Sequence, residues 1–134
     1  MRIEWTPALS VGNDAIDAQH KELFRRADDL LAAILDGKPE RVGTVLGYLH
    51  VYAVEHFGLE ESWMREQRFK GYTRHKAEHD RFVADLVALA EEHETSRGNG
   101  FMAARVNGWL ADWLVQHVSG TDAEMAVFLA KRLA

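Results

Sequence analysis

The chain has 134 residues, 47% of them hydrophobic and 28% charged, an ordinary balance for a soluble globular domain with one sizeable core. It contains no cysteine, which excludes disulfides, thiolate zinc sites and cysteine-held iron–sulfur clusters. A formal charge of −5, with 16 Lys and Arg residues scattered along the chain, argues against a nucleic-acid partner.

The opening stretch MRIEWTPALSVG lacks the apolar run of a secretory signal, and residues 1–15 are expected to form an arm that Trp5 packs onto the rest. Helical periodicity begins at about Asp17 and runs to Leu35, with Ile16, His20, Leu23, Phe24, Ala27, Leu30, Leu31 and Ile34 on one stripe. DGKP ends it. A second segment, from about Glu40 to Glu66, aligns Val42, Leu46, Leu49, Ala53, His56, Glu60 and Trp63. After the turn RFKGYT, a third runs from about Thr73 to Glu94 and aligns His75, His79, Phe82, Leu86 and Leu89. TSRGNG (95–100) reads as a loop. The fourth segment, about Phe101 to Val118, aligns Val106, Leu110, Trp113 and His117, and residues 122–134 suit a short final helix with Asp122 as its N-cap.

Strand alternation is absent, so the expected fold is all-α. Long helices with short connections favour an antiparallel up-down-up-down four-helix bundle over residues 16–118, within one domain spanning 1–134. No apolar run approaches the length of a membrane span, which makes a cytoplasmic protein without membrane contact the expectation.

Each apolar stripe carries residues that do not belong there. A lone histidine on such a stripe is most often a core histidine bonded to a neighbour. Here His20, His56, His75, His79 and His117, with Glu60, interrupt all four stripes. Residues four apart on a helix differ by about 40° and about 6 Å, so His56/Glu60 and His75/His79 each form a two-toothed clamp. Five imidazoles and a carboxylate buried without metal would strand several polar groups at a cost of several kcal/mol each. Metal is the cheaper explanation.

Asp122 lies five residues after His117, about 140° off on a continuing helix. Gly120 between them suggests that the helix ends and the chain swings back, which would offer Asp122 as a further ligand, an N-cap, or both. His50 and His93 fall away from the cluster, at the surface or at the end of the bundle. Glu61 reads as a surface charge, and Glu78 points away from the His75/His79 face. HKAEH (75–79) also matches the zinc-protease pattern H-x-x-E-H, but that chemistry needs Glu78 to face a metal-bound water and leaves the other polar core residues unexplained.

QHKELF around His20, HFGLEESWM around His56 and Glu60, HKAEHDRF around His75 and His79, and WLVQHVSGTD around His117 and Asp122 together resemble hemerythrin, in particular its stand-alone bacterial members. The resemblance covers Trp5 through Asp122 and departs at none of the seven positions. It implies a non-haem di-iron site with a bridging oxo or hydroxo group. His75, His79 and His117 would hold one iron, His20 and His56 the other, and Glu60 and Asp122 would bridge them. With three histidines on one iron and two on the other, one coordination position stays open for dioxygen. Phe57, Trp113 and Leu114 would line the oxygen pocket.

The implied function is reversible dioxygen binding, for storage or for delivery to an oxygen-requiring enzyme, by a monomer that is not itself an enzyme. Two other classes compete: an oxygen or redox sensor acting through a separate partner, and a di-iron oxidase or peroxidase. Carboxylate-rich di-iron bundles use Glu-x-x-His pairs, and this chain has none. That weighs toward carrying oxygen over splitting it.

Overall fold

The computed structural model describes residues 3–96 and 101–133. A short 3-10 turn, Pro7–Leu9, precedes five helices: α1 (Asp14–Leu35), α2 (Pro39–Glu66), α3 (Tyr72–Ser96), α4 (Phe101–Gln116) and α5 (Ala123–Leu133). A six-residue π-helical segment, His117–Asp122, joins α4 to α5. Among the described residues there is no strand, and the all-α bundle is as expected. Of the expected loop at 95–100, residues 95 and 96 belong to α3 and the rest lie outside the described residues.

One helix start differs from expectation. The first helix begins at Asp14, because the Asn13 side chain accepts a hydrogen bond from Ile16 N at 3.0 Å and caps an end three residues earlier than periodicity suggests. Periodicity reads only where apolar residues recur, and the first turn of α1 has no such repeat. The arm is tied down rather than merely packed: Asp17, itself buried, accepts from Ser10 Oγ and Val11 N. Trp5 packs against the core as expected, with the Lys21 ammonium 4.6 Å from its ring centroid.

Short connections force neighbouring helices to run antiparallel. Gly37, at φ +67°, takes the left-handed conformation that ends α1 and lets α2 begin at Pro39. The α2–α3 turn is tighter, since a Cβ on Gly71 would fall 2.7 Å from the Phe69 ring. Helix α1 packs on α2 and α4, and α2 packs on α3. Phe82 of α3 stacks on Trp109 of α4 with ring centroids 5.2 Å apart, which closes the ring of helices.

The core lies in two apolar parts with a polar layer between them. The larger holds Leu23, Phe24, Leu49, Phe82, Leu86, Leu110 and Leu114; the smaller holds Ile16, Met64, Met125 and Leu129. Along α1 the order is Ile16, His20, Leu23; along α2 it is Ala53, His56, Glu60, Met64. Helix α5 thus acts as a lid of apolar residues over the layer that carries the histidines.

Candidate metal centre

All seven expected residues reach this layer. His20, His56, Glu60, His75, His79, His117 and Asp122 are each at most 3% exposed. Their ligand atoms form two groups, each within 4.8 Å: Glu60, His75, His79, His117 and Asp122 in one, and His20, His56, Glu60 and Asp122 in the other. Glu60 and Asp122 belong to both. His50 and His93 join neither group.

Asp122 arrives by a route different from the one expected. The chain does not break at Gly120; it continues as a π-helix from His117 to Asp122. Pairing i with i+5 in place of i+4 absorbs the five-residue offset that would turn the two side chains apart on an α-helix. His117 Nε2 and Asp122 Oδ1 stand 3.1 Å apart. Gly120 needs no positive φ here, and Asp122 lies inside a helical run that continues into α5 rather than capping a new helix.

The inward atoms are close but poorly satisfied. Glu60 Oε2 lies 3.1 Å from His56 Nε2, and Glu60 Oε1 lies 3.1 Å from His79 Nε2. Asp122 places Oδ2 2.9 Å from His20 Nε2 and Oδ1 2.9 Å from His75 Nε2. Yet the Nε2 atoms of His56, His75, His79 and His117, with Glu60 Oε1 and both Asp122 oxygens, are buried without a hydrogen-bonding partner among the described residues. Each such group costs about 1–3 kcal/mol. Nitrogens and oxygens at these distances without hydrogen-bond angles are aimed at shared points between them. The set is imidazole and carboxylate without thiolate, which suits iron. The residues fit a pair of cations.

Without metal, protons take the cations' place. Burial pushes the His20 and His117 imidazoles down, but the closely placed negative carboxylate of Asp122, with help from Glu60 and, at His117, Glu78, raises both to about 9. Burial pushes Glu60 up, and the adjacent histidines, His56 foremost, overcome this and hold it well below the usual carboxylate range. Asp122 is likewise held low, against its own burial and the charge of Glu60, by His117 and His20. The two imidazoles are protonated below about 9, whereas a ligand must be neutral. Metal uptake at neutral pH is therefore expected to release protons and to weaken as the pH falls. Calorimetry in buffers of different ionisation enthalpy reads that release; uptake without proton release at pH 7 would contradict it.

Three outer contacts escaped the sequence reading. Glu61 is no surface charge: its side chain is 13% exposed and its Oε2 lies 2.9 Å from His79 Nδ1. Glu78 does leave the His75/His79 face, as expected, and reaches His117 Nδ1 at 2.8 Å while accepting from Thr121 Oγ1. Gln19 Oε1 lies 2.6 Å from His56 Nδ1. A buried ligand histidine needs an acceptor for its second ring N–H, and that requirement was the available signal. Carboxylate and amide oxygens at these positions make Nδ1 the protonated atom and leave Nε2 free to bind.

Aromatic rings back two of the imidazoles. Phe57 stacks on His79 at 3.9 Å and 7°, and Trp113 stacks on His117 at 4.3 Å and 13°. The Phe57 ring is also 5.8 Å from that of His56. Leu114, fully buried, belongs to the larger apolar cluster.

A helical bundle whose core holds a histidine–carboxylate centre for two cations is thus the class of protein that fold and site define. The chain matches the Hemerythrin HHE cation binding domain over residues 11–129 and belongs to the hemerythrin family. It is 31% identical to a bacteriohemerythrin of Ralstonia nicotianae over 97% of this chain and 90% of that protein. A bacteriohemerythrin of Methylococcus capsulatus is 30% identical, over 88% of this chain and 89% of that one. A crystal structure of wild-type hemerythrin superposes with a TM-score of 0.82 at 28% identity, covering 94% of this chain and 96% of that one.

Proposed function

We propose that this chain binds dioxygen reversibly at a non-haem di-iron centre and so stores oxygen or delivers it to an oxygen-requiring enzyme. The observation that carries the reading is the pair of ligand groups sharing Glu60 and Asp122, with three histidines on one side and two on the other. In this assignment His75, His79 and His117 would hold one iron and His20 and His56 the second, with Glu60 and Asp122 shared between them. When bound, the iron pair would supply the two electrons that dioxygen takes up reversibly.

The residues around it do the rest. Glu60 and Asp122 offset the cation charge in a low-dielectric core, where an uncompensated charge is costly. Gln19, Glu61 and Glu78 hold three imidazoles in one orientation and one tautomer. Phe57, Trp113 and Leu114 are assigned to the apolar lining that keeps water from the bound gas. Five imidazoles against two carboxylates favour a carrier over an oxidase, since oxygen-splitting bundles rely on carboxylate-rich sites. No helix among the described residues is long and apolar enough to cross a membrane. We assign the protein to the cytoplasm as a monomer that stores oxygen or passes it to a separate enzyme.

The test combines metal analysis with oxygen uptake. Protein made with ample iron is expected to hold two irons per chain and to take up one dioxygen per iron pair, recoverable on degassing. One metal per chain sinks the reading. Steady oxygen consumption with accumulating hydrogen peroxide would identify an oxidase instead.

A further inference from the structure

The outer shell of the centre is lopsided. His79 and His117, on the three-histidine side, each face a carboxylate through Nδ1, Glu61 at 2.9 Å and Glu78 at 2.8 Å. On the two-histidine side His56 faces only the neutral amide of Gln19, and His20 Nδ1 is buried without a hydrogen-bonding partner among the described residues. His75 Nδ1 is in the same condition. The count of outer anions is therefore two against none, although both halves share the same bridging carboxylates.

A carboxylate at Nδ1 draws the ring proton toward itself and pushes electron density to Nε2, which strengthens that nitrogen as a ligand. It also adds a negative charge close to the cation in a low-dielectric setting. We infer that Glu61 and Glu78 widen the difference that three histidines against two already set between the metal positions, so that the His75/His79/His117 position fills first and binds a divalent cation more tightly. The inference rests on the ligand assignment given above. Both glutamates act as positioning residues, through the histidines and not on the metal itself. Thr121, donating to both oxygens of Glu78, keeps that carboxylate facing His117.

The experiment uses the whole 134-residue chain, metal-free, and zinc, which is diamagnetic and needs no oxygen. Imidazole nitrogen resonances are followed by NMR as zinc is added below one equivalent. His75, His79 and His117 are expected to shift before His20 and His56. Glu61→Gln and Glu78→Gln keep an acceptor at Nδ1 and remove only the charge; each is expected to weaken the first binding step by about 10–100-fold and leave the second less affected. Gln19→Glu gives the other side its own anion and should narrow the gap between the steps.

A purely structural role for the glutamates would lower both binding constants together instead of the first alone. Glu78, with its side chain 35% exposed against 13% for Glu61, decides the matter if Glu61→Gln folds poorly. Simultaneous shifts of all five histidines, or His20 and His56 responding first, would overturn the inference. So would a folded Glu78→Gln chain with both binding constants unchanged. Ordered uptake of two zinc ions by a chain whose iron form fails to release oxygen would support this inference and overturn the proposed function. Uptake of a single ion overturns both.

Discussion

Replacing Glu60 with alanine is expected to cost the protein at least one of its two irons and to destabilise the metal-free bundle. Glu60 is fully buried, and its two oxygens approach His20, His56, His75 and His79 within 3.1–3.4 Å. It belongs to both ligand groups, so its loss would damage both metal positions at once. In the metal-free chain the same carboxylate offsets protonated imidazoles. Removing one partner of a buried charged set typically costs about 3–5 kcal/mol, because the remaining charge is left unpaired. Metal analysis of the variant and denaturant unfolding of its metal-free form read the two effects separately. Wild-type iron content in Glu60→Ala would remove it from the centre.

The second large effect is expected at Leu114. This residue is fully buried on α4, one turn before His117 and next to Trp113, whose ring stacks on that of His117. It offers no ligand atom, so Leu114→Ala should retain both irons. Truncating a fully buried leucine costs about 2–5 kcal/mol, depending on how far the surroundings close on the cavity. Water admitted to that space would shorten the life of the oxygenated protein, and its decay to the ferric state should accelerate. Unchanged decay in a folded, iron-loaded variant would return Leu114 to ordinary core packing. Loss of iron would instead mean that it supports the ligands.

The legible part of this site is the part written along single helices. His56 with Glu60, and His75 with His79, declare themselves because a four-residue interval sets both side chains on one face, and apolar stripes make the intruders visible. Asp122 was half legible. Its residue type and neighbourhood suggested a ligand, but the π-helix that delivers it has no periodic signature in six residues. The outer contacts were the hardest to read. Glu61 reaches His79 across the α2–α3 interface, and Glu78 reaches His117 from α3. Such pairings depend on the relative register of two helices, which the periodicity of either one does not contain. Glu61 therefore looked like any other charge beside a stripe. The N-terminal boundary failed for a local reason, since Asn13 caps α1 before its apolar repeat starts.

The proposed centre is one in which seven buried side chains hold two irons that bind dioxygen and give it back. An optical spectrum of the anaerobically reduced protein, taken again after air and once more after oxygen is removed, tests it most directly. Reversible binding at a di-iron centre requires a colourless reduced form, a visible absorption that develops in air, and return of the first spectrum on degassing through repeated cycles. A spectrum that does not change in air, or one that changes once and never returns, would contradict it.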